Sequence, residues 1–353
     1  MSSRRPRSPG VAKTLTNDPV WTGLSLQMRQ GFQETWYLKL NDLKGQRALW
    51  IRFHILLSRN GFRKVAETWC VLFQRMENRE IQKTALKQSF DISRFSSQKI
   101  DGRTVIQIGD CVLGANFTKG MIQSKGKTIE WDFKFEPIQA SKFELLPEYL
   151  AKMKMVRTAA ATVGGDLRFD GTIQVDSAKI SVENAVGMQA HLAGPKSAHS
   201  WAWGHCSSFV NEQKQPVPFV FEGLSIRGRI ATYLKSPRLS TFYFLYQGKS
   251  YEFNRLWDTL RTRSENTLTD WEFQADRGDI SFRGHVTAQL RDFVGMTYED
   301  TDGSLLYCAA SKLSDMTIWV YRRGKLETTL KSQGSTAFEV TSRTKNPYVP
   351  LAL

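Results

Sequence analysis

At 353 residues, 41% hydrophobic and 12% aromatic, the chain is too long for one core and too apolar to be disordered. No apolar run approaches the roughly 18–20 residues of a membrane span, and Ala48–Leu57 is interrupted by Arg52 and His54. The net charge of +15 is spread along the chain, with only short, separated runs at Arg4–Arg7, Arg255–Arg263 and Arg322–Lys325. That spread argues for a solvated basic surface over a nucleic-acid stripe, and leaves peripheral contact with an anionic membrane as a secondary option.

Residues 1–20 read as a flexible basic tail. Asn17, Asp18 and Pro19 arrive before any apolar segment, so the N-terminus does not have the shape of a secretory signal and the expected location is the cytoplasm. Period-two alternation, the mark of a half-buried strand, then dominates. Leu49, Ile51, Phe53, Ile55 and Leu57 alternate with Trp50, Arg52, His54 and Leu56. Val65, Glu67, Trp69, Val71 and Phe73 share one face of the next segment. Ile129, Trp131, Phe133 and Phe135 share another, entered through a hairpin turn at Ser124-Lys-Gly-Lys127.

Further strands are predicted at Thr104–Ile108, Gly171–Val175, Ser200–Phe209, Leu224–Ala231, Thr241–Tyr246 and Lys249–Asn254. Four more follow at Thr269–Ala275, Ile280–Val286, Leu305–Ala309 and Thr317–Tyr321. Short helices are expected at Leu86–Phe95, Glu148–Met155 and Leu256–Arg261, and Gln139–Val163 reads as a crossover outside the first sheet. Many short strands joined by Gly, Asn and Asp turns indicate an all-β chain of two consecutive antiparallel barrels or sandwiches. Asn211–Pro218 is the best linker by composition, giving domains at 21–213 and 214–353 with a margin of about 20 residues on the boundary.

The four cysteines, Cys70, Cys111, Cys206 and Cys308, are far apart and read as free thiols. There is no Walker A loop, GxSxG elbow, HExxH motif or helix-opening GxGxxG, so neither a cofactor nor a metal is expected. Three of the five histidines fall within Gly187–Phe209, as His191, His199 and His205. On an extended strand, His199, Trp201, Trp203 and His205 project to one face and Ser200, Ala202, Gly204 and Cys206 to the other. Facing into a barrel, the first set makes a pocket for an apolar ligand, with tryptophan walls and a histidine handle. Facing a conventional core, it is two buried tryptophans with hydrogen-bonded histidines. His199 and His205 stand roughly 20 Å apart on a regular strand, too far to share a metal. Glu67, beside Trp69 on an apolar face, is a second candidate acid, or else an exposed edge residue or a buried partner of an arginine.

The stretch IGDCVLG at 108–114, followed by GMIQSKGKTIEWDFKFEP at 120–137, resembles the tocopherol cyclase and carotenoid hydratase type of double lipocalin-like protein. GMQAHLAGPKSAHSWAWGHCSSF resembles the His/Trp-rich segment where their first barrel closes, and Thr297-Tyr-Glu-Asp-Thr-Asp-Gly303 matches in texture. The resemblance implies two lipocalin-like domains with an apolar pocket in or between them, acting on isoprenoid-type molecules by acid chemistry. Where the hydratase branch has an Asp-His pair ahead of Trp-Gly, this chain has Ser200-Trp-Ala-Trp-Gly204, so hydratase activity does not carry over.

The expectation is a bulky isoprenoid- or acyl-like ligand held by Trp69, Trp201, Trp203 and His191. His205, His199 and Glu67 are the candidate acid–base groups for isomerisation, cyclisation or hydration. The alternatives are a non-catalytic lipid or pigment carrier, and a basic protein that recruits a membrane or a partner.

Overall fold

The computed structural model describes residues 16–21, 29–59, 61–146, 158–228 and 236–353. The expected helix at Glu148–Met155 and the first 15 residues of the tail lie outside them. Two curled antiparallel sheets of 12 strands each carry the chain, as two lipocalin-like domains. The first holds β1 (Phe32–Asp42), β2 (Arg47–Leu57), β3 (Lys64–Arg75), β4 (Ile81–Asp91), β5 (Phe95–Ile100) and β6 (Arg103–Ile108). It continues through β7 (Cys111–Leu113), β8 (Phe117–Ser124), β9 (Lys127–Pro137), β10 (Phe143–Glu144), β11 (Ala159–Val175) and β12 (Ala178–Gly194). Its spatial order is β4-β3-β2-β1-β12-β11-β9-β8-β7-β6-β5, with β10 on β11.

The second sheet begins with β13 (Ser200–Cys206), β14 (Phe209–Val210), β15 (Pro216–Val217), β16 (Phe219–Arg227), β17 (Leu239–Tyr246) and β18 (Lys249–Phe253). A short helix α1 (Leu256–Arg261), where one was expected, precedes β19 (Arg263–Asn266), β20 (Asp270–Arg277) and β21 (Ile280–Thr287). The last strands are β22 (Val294–Glu299), β23 (Leu305–Arg322) and β24 (Lys325–Ser342). The main path runs β18-β17-β16-β13-β24-β23-β21-β20-β19.

Alternation sorts the side chains as the sequence implies. Leu49, Ile51, Phe53, Ile55 and Leu57 of β2 join Trp131, Phe133 and Phe135 of β9 inside the first sheet. The β8–β9 hairpin turns on Lys125 and Gly126, both at positive φ (52° and 73°), the geometry whose twist matches that of the strands. The second interior is aromatic: Phe221 stacks on Phe273 at 4.9 Å and Phe244 on Phe282 at 4.2 Å.

Two further cores lie between the sheets. One joins Phe143, Leu145, Met188 and Ala190 to Trp203, Leu224, Ile226 and Tyr243. The other joins Trp50, Trp69, Val71 and Phe73 to Val294, Met296 and Leu313. Gly187 lets β12 approach β1, since a Cβ there would lie 2.0 Å from the Lys39 carbonyl oxygen and 2.8 Å from Leu40 Cα. Backbone atoms cannot step aside, so Gly187→Ala is expected to lower stability by about 1–3 kcal/mol in urea unfolding. An unchanged midpoint would show that the two strands have slack.

Several expectations need correcting. Leu86–Phe95 is no α-helix: β4 pairs with β3 along its whole length, and only Ile92–Arg94 forms a 3-10 turn, capped by Asp91. Residues 159–163 belong to β11, inside the first sheet. Asn211–Pro218 is no linker: Asn211–Gln215 turns the hairpin between β14 and β15, and Pro216–Val217 is β15 itself. The chain passes from the first sheet to the second at residues 195–199. Residues 16–21 are pinned, although the tail was expected to be flexible to residue 20. Trp36 Nε1 donates to the Asn17 carbonyl at 3.2 Å, and the Val20 and Trp21 amides donate to Glu34 at 2.6 and 2.9 Å.

Candidate active site

Both interiors are filled with side chains, and the apolar cleft lies between the sheets rather than in a barrel lumen. It encloses about 150 Å³. The first sheet contributes Gln33, Thr35 and Tyr37 from β1, Trp50 and Arg52 from β2, and Ala160 and Leu192 from β11 and β12. The second contributes Trp201 and Trp203 from β13, Leu224 and Ile226 from β16, Tyr298 from β22 and Glu339 from β24. Leu145, Leu146, Thr158, Ser197 and Ala198 complete the wall. Period-two geometry explains the set: Gln33, Thr35 and Tyr37 are the odd-numbered face of β1, turned away from the interior that holds Trp36 and Leu38.

The rings form a continuous surface. Trp201 stacks parallel to Tyr298 at 6.4 Å, and Tyr37 meets Trp203 edge-on at 5.7 Å. Burial raises the Tyr37 and Tyr298 phenols well above their ordinary range, so both remain protonated. Glu339 pairs with Lys312, whose ammonium lies 5.1 Å from the Trp203 ring and 5.7 Å from Trp50.

A buried polar layer lies behind Trp203. Its indole Nε1 donates to Glu222 at 3.1 Å, and Thr162 donates to the other carboxylate oxygen. Burial pushes Glu222 up to about 7, although both hydrogen bonds pull the other way. Burial lowers the Lys39 ammonium to about 8, while Lys39 donates to the Ser335 carbonyl at 3.0 Å.

Of the residues expected at the site, Trp201 and Trp203 line the cleft. His205 lies in the layer behind it, in register with Glu222 on β16. Its Nε2 bonds the Gly165 carbonyl at 2.7 Å, an oxygen turned out by a β11 register shift, and its Nδ1 has no partner among the described residues. Burial, reinforced by the Lys39 cation, holds His205 well below the usual imidazole range, so it is neutral near pH 7 and its one N–H is the proton on Nε2 that bonds the Gly165 carbonyl. His199 precedes β13, half-buried, with its amide donating to the Arg227 carbonyl at 3.0 Å.

His191 points the other way, into the first sheet. It stacks on Trp36 at 4.7 Å and bridges Glu34 (2.8 Å) and the Thr16 carbonyl (2.5 Å). Glu67 and Trp69 border a separate cavity of about 110 Å³. Glu67 accepts from Trp69 Nε1 at 3.0 Å and pairs with Arg63 at 3.4 Å and Lys87 at 3.7 Å, matching the reading of it as an ion-pair partner. Arg52, Tyr37, Trp50, Tyr298, Glu222 and Glu339 are the site residues that sequence reasoning missed. Among the described residues no cluster of three or more His, Cys, Asp or Glu side chains is arranged to hold a metal. No described helix is long and apolar enough to cross a membrane.

No protein-family model matches the chain. Two uncharacterised proteins of Mycobacterium tuberculosis, from strains CDC 1551 / Oshkosh and ATCC 25618 / H37Rv, are each 21% identical to it over 310 residues. The matches cover 85% of this chain and 83% of each relative. CghA with Sch210972 superposes at a TM-score of 0.57 and 10% identity, over 94% of this chain and 96% of that one. A second CghA structure gives 0.55 at 9% identity, over 89% and 88%. An AttH-type protein of Nitrosomonas europaea gives 0.50 at 13% identity, over 96% and 99%. At such identities the likeness is one of fold, and this chain shares the fold of these proteins along nearly its whole length.

Proposed function

We propose that the chain binds a bulky, largely apolar small molecule, isoprenoid- or acyl-like, in the cleft between its sheets. The observation that carries this reading is the cleft wall itself, five aromatic side chains, four leucines and Ile226 interrupted by a few polar groups. Such a composition is typical of small-molecule sites, where apolar area supplies affinity and sparse polar groups fix orientation. That CghA, of the same fold, has been crystallised with Sch210972 supports the reading.

Titration with retinol, a quinone and an acyl probe is expected to quench tryptophan emission saturably. Trp201→Ala is expected to weaken binding about tenfold, the loss of one aromatic contact. Folded protein that stays silent across this panel, and carries no co-purified mass in native mass spectrometry, would sink the proposal.

A second reading, acid–base chemistry on the bound ligand, is favoured by Glu222. Its carboxyl, at about 7, can hold or release a proton near neutrality, and it is bonded to the indole that forms the wall. On this reading Glu222 takes the role first sought in His205, His199 and Glu67. The non-catalytic carrier is the same site without that step.

A further inference from the structure

Arg52 is buried, at 7% exposure, and borders the cleft. Its Nη2 donates to His54 Nδ1 at 3.2 Å and to Thr35 Oγ1 at 3.5 Å. A guanidinium only donates, so His54 Nδ1 accepts and the imidazole is neutral. The Thr35 hydroxyl donates to the same nitrogen at 2.8 Å, and burial together with the Arg52 charge holds His54 well below its ordinary range. The guanidinium also lies 4.8 Å from the Trp69 ring and 4.5 Å from Tyr298. These hydrogen-bond and ring partners are uncharged; Glu67 and Glu339 act on the guanidinium only from beyond ion-pair distance.

The carboxylates nearby are taken. Glu67 is held by Arg63 and Lys87, Glu299 by Arg63 at 2.8 Å, and Glu339 by Lys312. Among the described residues Arg52 has no ion pair, and its Nε and Nη1 have no hydrogen-bond partner. A buried charge is strongly disfavoured unless an opposite charge meets it, and two ring faces offset that only in part. The planar fork of arginine fits the two oxygens of a carboxylate.

We propose that the cleft takes an apolar molecule bearing one carboxylate, and that Arg52 binds that carboxylate. This rests on the pocket reading above and names its ligand class, a fatty or isoprenoid acid in place of the corresponding alcohol or ester. Thr35 and His54 position the fork without neutralising it, and Trp201 with Tyr298 covers the apolar body next to it.

The test compares two matched pairs, retinoic acid with retinol and laurate with dodecanol, by tryptophan quenching near neutral pH. The acids are expected to bind about tenfold or more tighter than the alcohols, the effect of a charge-assisted bidentate contact. Arg52→Gln is expected to remove that preference, the acids binding no more tightly than the alcohols to the variant. Alcohols bound as tightly as acids by the native protein would overturn the carboxylate assignment and leave the pocket standing. A preference that survives in Arg52→Gln would overturn the role of Arg52. Binding of neither member of either pair would overturn the pocket and this inference together. If Arg52→Gln does not fold, the acid–alcohol contrast in the native protein decides alone.

Discussion

Replacing Glu339 by glutamine is expected to lower the unfolding free energy by about 3–5 kcal/mol. The carboxylate is the ion-pair partner of Lys312, whose side chain is fully buried. Without it, the ammonium's remaining favourable side-chain contacts among the described residues are the rings of Trp203 and Trp50. Those contacts stabilise a desolvated cation by about 2 kcal/mol each at best, less than the several kcal/mol needed to bury it. Adding Lys312→Met to Glu339→Gln removes the orphaned charge, so the double variant is expected to be more stable than the single one. Urea unfolding of the native protein, both single variants and the double variant gives the coupling directly. A single variant within about 1 kcal/mol of the native protein would mean that water or a rearrangement solvates Lys312.

Glu222→Gln is expected to have the opposite sign above neutral pH. The carboxyl rises from 4.5 in the unfolded chain to about 7 in the fold. At about 1.4 kcal/mol per pH unit, this amounts to about 3 kcal/mol. Between these values the fold retains a proton that the unfolded chain has lost. The contribution of Glu222 is therefore fully present below about pH 4.5 and is lost as pH rises through about 7. The glutamine variant does not titrate, so its advantage should open across that window and reach about 3 kcal/mol near pH 8, less about 1 kcal/mol for a weakened hydrogen bond. Urea midpoints of the two proteins across this range provide the check. Parallel profiles would show that Glu222 is solvated in the fold.

The faces of strands were legible because alternation has a period of two. Leu49 to Leu57 and Ile129 to Phe135 fall on the interior side, and Lys125-Gly126 adopts the expected turn. Where the backbone shifts register, the signal broke. β23 is one strand from Leu305 to Arg322, yet irregularities at Ser311, Ser314 and Met316 disturb its alternation and left two short predictions. Leu86–Phe95 shows propensity losing to tertiary pairing, since β3 offers β4 hydrogen bonds along its full length.

The site was legible only in part, for a related reason. Alternation separated the Trp201/Trp203 face of β13 from the Ala202/Cys206 face but did not say which packs inside. The small residues face the second interior, and the tryptophans face the other sheet. Arg52 stood out only as an interruption in an apolar run. Its burial comes from rings such as Tyr298, far along the chain, and no local pattern carries that contact.

Trp203 and Leu224 both line the cleft and belong to the core that joins the two sheets. The residues that would grip a ligand are therefore part of the mortar between the halves. Reshaping the cleft for a different guest also alters the cohesion of the molecule, so selectivity and robustness cannot drift independently. A guest that touches both walls becomes a rivet: by mass action, an occupied cleft resists separation of the halves in proportion to how tightly it is filled.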